Sequence, residues 1–405
     1  MNELLYKMQL VGYVNREYWT LVKKPTTGTA NPTARFKRLR TLAWCLVGLG
    51  LGLPLLWLPH TVAFANRLMT PWEAANKRRY LRRAKRVLRR RPDLIVIGIT
   101  GSYGKTSVKN ILAAMLATQY RVVSSPASFN TPQGFARTVN EHLTPATQVL
   151  IMEMGARHVG DIAEMCDLCH PHHGIITSIG ECHLATFGDV ATVAATKAEL
   201  FAALPANGIA VTDGDNPWCR ALVHPRLTLV HRAAEHFTTP LLGEHNQTNI
   251  ALAAVVAREV GVSDEAIKAV VAELTPSDHR LQKIVAPNGI VILDDSYNAN
   301  PTSAASALKV LGTYTTRKVV QTPGFVEQGT NTATAHAELC AQIKATADAV
   351  IVVGEVNRRY FVDGLAGWDK PVFYVPTRDA AKNLYPTLLK AGDVLLLLND
   401  LPENY

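Results

Sequence analysis

The most specific chemistry in this sequence sits in one short loop, Gly101-Ser102-Tyr103-Gly104-Lys105-Thr106-Ser107. Glycines let backbone N–H groups turn inward without Cβ clashes, and a helix N-terminus placed behind them adds partial positive charge. Lys105 can then reach terminal phosphates, and the Thr106 hydroxyl can ligate Mg²⁺. Ile99 stands where the first glycine of the longer GxxxxGK(S/T) pattern would be, so the pattern here is the shorter GxxGK(S/T). The loop predicts a bound nucleoside triphosphate. Its bland alternative is a tight glycine turn with no ligand, and the flanking elements decide between the two. Leu94 to Ile99 is an unbroken apolar, β-branched run, expected as a buried strand, and Val108 to Ala117 has helical apolar spacing. Strand, loop and helix therefore stand where phosphate binding needs them. A second candidate is Glu153, at the end of the expected strand Gln148–Glu153. A carboxylate at a strand end is commonly just solvated, but beside a phosphate loop it is placed to hold a metal ion.

These residues need a scaffold, and the chain supplies a repeating one. Strands expected at Arg121–Ser125, Gln148–Glu153, His173–Ile179 and Gly208–Thr212 alternate with helical stretches such as Val190–Leu204, which carries Lys197. That rhythm belongs to an α/β fold with a doubly wound parallel sheet. A further apolar strand is expected at Lys318–Gln321.

Charge separates the first 91 residues from the rest. The net charge of +9 divides into +16 for residues 1–91, with 19 Lys and Arg against 3 acids, and −7 for residues 92–405. A uniformly basic surface would suggest nucleic acid; a basic block beside an apolar run suggests anionic lipid headgroups. Thr41 to Leu58 is an uncharged run of 18 residues, at the lower edge of what spans a bilayer. Arg35, Lys37, Arg38 and Arg40 precede it, and ten Lys and Arg lie between Lys77 and Arg91. The expectation is a membrane anchor, as one span or a hairpin bent at Pro54 and Pro59, with the catalytic domains on the cytoplasmic side. A buried hydrophobic helix is the alternative.

Seven motifs in order carry a resemblance: GITGSYGKTS, the Glu153-Met154-Gly155 strand end, SIGECHLATFG (178–188), TKAEL (196–200), GEHNQTN (243–249), HRLQ (279–282) and DDSYNANP (294–301). Together they resemble the Mur ligases, and within that family the branch that adds D-alanyl-D-alanine. The resemblance implies a P-loop ATP-binding domain over 92–283 and a smaller Rossmann-like C-terminal α/β domain over 284–405, which leaves 1–91 as the membrane-anchoring and basic juxtamembrane segment expected from its composition. It implies that Gly101, Ser102, Gly104, Lys105, Thr106 and Ser107 cradle ATP phosphates. Thr106 and Glu153 would hold one Mg²⁺. His183, with a carbamylated Lys197, would hold a second near the substrate carboxylate. Asn249, His245 and Asn246 are expected near the adenine, Arg280 at the phosphates and Asp295 at the ribose.

The implied chemistry is ATP-dependent joining of a carboxylate to an amine through an acyl phosphate, on a cell-wall precursor that is lipid-linked or UDP-linked, with an amino acid or peptide amine. Membrane lipids would be a partner and nucleic acid would not. A membrane-associated polymer-forming ligase of the poly-γ-glutamate type and a non-catalytic scaffold are the alternatives. Several features depart from the family. Residues 1–91 are apolar and basic, unlike a UDP-binding domain, and the basic anchor favours the lipid-linked precursor. Too few residues lie between Asn216 and Gly243 for the usual small extra sheet. TPGFVEQG (322–329) replaces a GDM-type segment, and LLLLNDLPENY stands where a KGS-type loop is usual. Cys166-Asp167-Leu168-Cys169-His170 matches a haem c or zinc pattern, but it lies on an amphipathic helix running into a buried strand, which argues for packing.

Lys105→Ala should leave a folded protein, since the loop glycines preserve the turn, while abolishing phosphate release from ATP. Turnover at the wild-type rate, with unchanged circular dichroism, would remove the phosphate-loop argument.

Overall fold

The structure, a computed structural model, describes residues 4–5, 8–9, 13, 18, 34–48 and 58–399, apart from 127–128, 183, 298, 327 and 329–330. Two compact units divide the chain, residues 1–83 and 84–403.

In the larger unit the apolar runs become two six-stranded sheets. The first contains β1 (Ile95–Thr100), β2 (Val122–Ser124), β3 (Val149–Glu153), β4 (His173–Ile176), β5 (Ala210–Asp213) and β6 (Leu227–Val230), in the spatial order β2-β3-β1-β4-β5-β6. Every pairing in it is parallel. Parallel strands are covered on both faces, which is why β1 and β3 read as continuous apolar runs rather than alternating ones. One face is closed by the helices Lys105–Leu116, Glu244–Glu259 and Asp264–Ala272 around Ile97, Ile99, Ile151, Leu112, Leu252 and Ile267. Helix Val190–Ala202 approaches the other so closely that a Cβ on Gly98 would stand 2.8 Å from Leu200 Cδ1. The stretch between Asn216 and Gly243, too short for a separate sheet, contributes the edge strand β6 instead.

The second sheet has the order β11-β10-β9-β12-β8-β7, formed by β7 (Gln282–Val285), β8 (Val291–Asp295), β9 (Lys318–Thr322), β10 (Ala349–Val353), β11 (Val372–Val375) and β12 (Val394–Leu398). Only β7 runs antiparallel, to β8. Its two faces are filled by separate apolar clusters, one around Leu293, Val320, Val350 and Leu396, the other around Val319, Ile351 and Leu395. Helix Pro301–Gly312 starts where Asn300 and Ser303 cap each other's backbone N–H groups, and Pro301 stands at its first turn. Proline is tolerated there because its missing donor would have been unpaired anyway.

The smaller unit corrects the membrane expectation. Among the described residues, no helix is long and apolar enough to cross a membrane. Of the Thr41–Leu58 run, residues 49–57, including Pro54, lie outside the described residues. The remainder belongs to the helices Ala34–Gly48 and Leu58–Arg89. Arg35, Lys37, Arg38 and Arg40 do not flank a span; they are helical residues, and Arg38 makes a 2.6 Å ion pair with Glu73. The apolar stripe Phe36, Leu39 and Ala43 is consumed within a protein core with Val62, Ala65 and Met69. The expected location at the membrane and the lipid partner both rested on that span and fall with it.

Candidate active site

At the end of β1 the chain turns through positions only glycine fits. Gly101 has φ +145°, and a Cβ there would lie 2.1 Å from Thr177 Oγ1; Gly104 has φ +80°, and a Cβ there would lie 2.8 Å from Asn249 Oδ1. The loop is tied to the segment after β4: Ser102 N–H donates to the Ser178 carbonyl at 2.8 Å, and Ser102 Oγ accepts from Gly180 N–H at 3.0 Å. Tyr103 Oη donates to the Glu181 carbonyl. Lys105 folds back so that Nζ donates to the carbonyls of Gly101 (2.8 Å) and Ser102 (3.2 Å), and burial lowers its pKa. These carbonyls hold the ammonium at the mouth of the loop, the position from which it can transfer to an anion. Ser107 lies one residue beyond Thr106 on the loop helix and lines the cavity described below.

Glu153 is buried, its side chain only 2% exposed. Adjacent register on β1 and β3, Ile99 opposite Glu153, brings it beside the loop. Thr106 Oγ1 donates to its Oε2 at 2.9 Å, and Asn130 Nδ2 donates to Oε1 at 3.3 Å. Lys109 Nζ stands 3.3 Å from the same Oε2 and donates to the Ser125 carbonyl at 2.9 Å. Hard oxygen donors from a hydroxyl and a carboxylate, side by side at a phosphate loop, suit Mg²⁺. Lys109 and Asn130 were not expected from the sequence. One signal existed for Lys109: it follows Val108 and precedes Ile111 and Leu112 on a face otherwise apolar, and a charge there must find a partner.

Lys197, 2% exposed, belongs to the buried face of helix Val190–Ala202 with Val193, Thr196, Leu200 and Phe201. Burial, reinforced by the charge of Lys105, lowers its pKa to about 8. A neutral amine is therefore accessible near physiological pH, the form that carbamylation requires. Its expected partner His183 lies outside the described residues.

Asn246 and Asn249 are buried on helix Glu244–Glu259, with Asn249 Nδ2 donating to Asn246 Oδ1 at 3.1 Å. Asn246 lines a cavity of about 210 Å³ with Ser107, Asn110, Ile111, Leu274 and Arg280. His245 turns elsewhere, its Nδ1 2.7 Å from Ser306 Oγ. Arg280 is presented from a strained segment: His279 (φ +60°) and Leu281 (φ +50°) on either side both adopt left-handed backbone. Such residues cost on the order of 1 kcal/mol each and persist where the surroundings over-determine them. The guanidinium stacks 4.6 Å from the Tyr297 ring and donates to the Tyr297 carbonyl at 3.0 Å. Asp295 ends β8, accepts from Leu281 N–H at 3.2 Å, and has a pKa raised to about 6 by burial, against the opposing pull of Arg280.

The TPGFVEQG segment is held by two buried side chains. His336 Nε2 accepts from Phe325 N–H at 3.1 Å, and Asn357 Nδ2 donates to the carbonyls of Pro323 and Phe325, both at 3.0 Å. Close by in sequence, Asn331 Nδ2 donates to Glu181 Oε1 at 2.8 Å. Cys166 and Cys169 are buried in helix Asp161–Cys169, where burial raises both thiol pKa values.

A phosphate loop on one parallel sheet, with a strained arginine hinge leading to a second sheet, defines a P-loop protein of two α/β domains. Residues 99–227 match the Mur ligase middle domain and residues 279–399 the glutamate ligase domain of Mur ligases, together more than half of the chain. The chain belongs to the Mur ligase family. It is 37% identical over 249 residues to the UDP-N-acetylmuramoyl-tripeptide–D-alanyl-D-alanine ligase of Mycobacterium tuberculosis, covering 54% of this chain and 49% of the relative. Against the enzyme of the same name from Escherichia coli it is 32% identical over 292 residues, 64% of each chain. The chain thus spans about half the length of the first curated relatives it matches. The MurF ligase of Thermotoga maritima in complex with ADP shares its fold, with a TM-score of 0.70 at 24% identity over 80% of both chains.

A buried Asp295 whose folded pKa is about 6, against 3.8 ordinarily, opposes folding once ionised. Its contribution to stability is fully present below about pH 4 and lost as pH rises through 6. Asp295→Asn should therefore be more stable than wild type at pH 7, by about 1–3 kcal/mol, and the difference should vanish by pH 4. A melting temperature for Asp295→Asn that tracks wild type across this range would sink the assignment.

Proposed function

We propose that this protein is an ATP-dependent carboxylate–amine ligase of peptidoglycan precursor synthesis, joining D-alanyl-D-alanine to a UDP-linked muramoyl tripeptide. The observation that carries the reading is Thr106 seated on the buried carboxylate of Glu153 at the mouth of the phosphate loop. The names of the relatives supply the substrates. Residues 92–283 serve as the ATP-binding domain and 284–405 as the C-terminal domain of the ligase.

A carboxylate is a poor acyl donor, so it must first be phosphorylated by ATP, and two anions must meet for that to happen. Lys105 leaves the carbonyls of Gly101 and Ser102 for the phosphoryl oxygens, and the backbone N–H groups of the loop and the first turn of its helix face the same anion. Thr106 and Glu153 would hold Mg²⁺, which would offset charge on the phosphoryl oxygens. His183 and a carbamylated Lys197 would hold a second ion, which would offset charge on the acyl substrate's carboxylate. Asn246 and Asn249 border the adenine, while His245 is turned to Ser306; Arg280 approaches the phosphates across the hinge, and Asp295 accepts from the ribose hydroxyls. Closure of the second sheet domain over the first excludes water that would otherwise hydrolyse the acyl phosphate.

The test is phosphate release from ATP with UDP-muramoyl tripeptide, with and without D-alanyl-D-alanine, and product mass by mass spectrometry. Release that requires both substrates, with a product heavier by the dipeptide, is expected. Release driven instead by glutamate or poly-γ-glutamate would replace this reading with the polymer-forming one.

The same assay examines Lys197. Lys197→Ala should lose at least about 100-fold in rate, the scale of removing one preorganised charged group, and short-chain carboxylic acids should restore part of it. Because the amine titrates at about pH 8, stimulation of the wild type by bicarbonate should grow from pH 7 to 9. Full activity of Lys197→Ala would make the lysine a packing residue only.

A further inference from the structure

Glu153 is reached from one helix by two side chains a turn apart. Thr106 and Lys109 are at positions i and i+3 of helix Lys105–Leu116, so both project to the same side and converge on the same oxygen, Oε2. Their roles differ. Thr106 is half-buried at the loop mouth, whereas Lys109 and Glu153 are each 2% exposed at the side chain, and no bulk water screens the 3.3 Å between them. Lys109 is anchored from behind by the Ser125 carbonyl at 2.9 Å, and Ser125 Oγ accepts from the backbone N–H of Glu153 at 3.2 Å. The ammonium is thus fixed to the ends of β2 and β3 together, and Asn130 holds the opposite oxygen, Oε1.

We propose that Lys109 is the positioning residue of the nucleotide–metal site: it fixes the rotamer of Glu153 and offsets its charge, so that a divalent cation binds there only together with the nucleotide's phosphates. The proposal rests on the ATP–Mg²⁺ reading above. The charges decide the second half. The carboxylate carries one negative charge, Lys109 returns one positive charge beside it, and Lys105 adds another at the loop. A bare cation approaching Glu153 meets no net negative charge. The phosphates of a bound nucleotide supply the missing anion, and Glu153, already aimed, completes the coordination without reordering. Lys109 touches neither nucleotide nor substrate in this arrangement; it acts through Glu153.

The test uses the full chain and Mn²⁺, followed by electron paramagnetic resonance, with and without the non-hydrolysable nucleotide AMP-PNP. Wild type should bind Mn²⁺ only when AMP-PNP is present. Absence of Mn²⁺ binding by wild type even with AMP-PNP would refute the nucleotide reading itself, separately from this proposal. In Lys109→Met the Mn²⁺ affinity of the nucleotide complex should fall at least tenfold, with the KM for the amine substrate unchanged, and Lys109→Arg should recover part of the affinity. Because Lys109→Met leaves a buried carboxylate without its partner and can fail to fold, Glu153→Gln is compared with Glu153→Gln/Lys109→Met, in which the pair is neutral. Equal Mn²⁺–AMP-PNP affinity in those two variants means that Lys109 acts only through Glu153, as proposed. A further tenfold loss in the double variant, or wild-type affinity in Lys109→Met, would overturn it.

Discussion

The site depends on one buried carboxylate. Removing Glu153 from water carries a penalty of several kcal/mol unless every lone pair facing the interior is met, and breaking such a pair by deleting one partner typically costs about 3–5 kcal/mol. Thr106, Lys109 and Asn130 meet that demand from two directions. The demand constrains the fold in turn. β3 must lie beside β1 in parallel register for Glu153 to reach the loop, β2 must end just before Ser125 for that residue to anchor Lys109, and the loop helix must begin directly after Gly104 so that Thr106 and Lys109 share a face. Substituting either loop glycine would push on Thr177 or Asn249, residues of other elements of the same site.

A second constraint operates at the hinge. Two left-handed residues around Arg280 are unfavourable locally, and the structure offsets them by placing Leu281 N–H on Asp295, His279 on Asp294 at 2.7 Å, and the guanidinium on Tyr297. Strain of this kind marks a segment whose conformation is dictated by what it presents. Here it presents a cation to a cavity bordered by the phosphate-loop helix and Asn246. Asn331 reaching Glu181 adds a further bridge between the two sheet domains, and Glu181 in turn carries the carbonyl that Tyr103 of the phosphate loop engages. The loop, the segment after β4 and the C-terminal domain are therefore linked by consecutive hydrogen bonds.

Much of this was legible in the residues. Continuous apolar runs marked β1 and β3 because a parallel sheet covered on both faces leaves no solvent side to alternate with. The glycines of the loop announced positive φ and close approach, and a carboxylate closing a buried strand announced Glu153. Lys109 was missed because a helix lysine is ordinarily a solvated charge; only its apolar neighbours Val108, Ile111 and Leu112 betray it. The membrane expectation failed for a related reason. An uncharged run has the same composition whether it faces lipid or another helix, and the basic residues before it look like flanks until the helix start at Ala34 is known. Periodicity across that start shows the difference: Phe36, Leu39 and Ala43 form the stripe, while Lys37, Arg38 and Arg40 take the other side. His336 and Asn357 carried no sequence signal at all, because their role is to satisfy an N–H and carbonyls of a loop 11 residues away from the first and 34 from the second.

The electrostatic balance of the site completes the argument. Lys105, Lys109 and Arg280 face Glu153, with Asp295 beside Arg280, while Lys197 has Asp161 and Glu199 near it. Burial lowers the pKa of each of the four, Lys105 lowers that of Lys197 further, and Asp295 is pushed towards its neutral form. Such an arrangement opposes itself in the ligand-free protein: Arg280 acts against Lys105 and Lys109, and Lys105 against Lys197. A polyanion relieves both strains at once, so part of its binding free energy is repulsion already present in the fold. The same positive charge at the loop also faces any bare divalent cation that approaches Glu153. A stability optimum would have removed these repulsions; their persistence at the end of a well-packed parallel sheet is the mark of a site that gives up stability for binding.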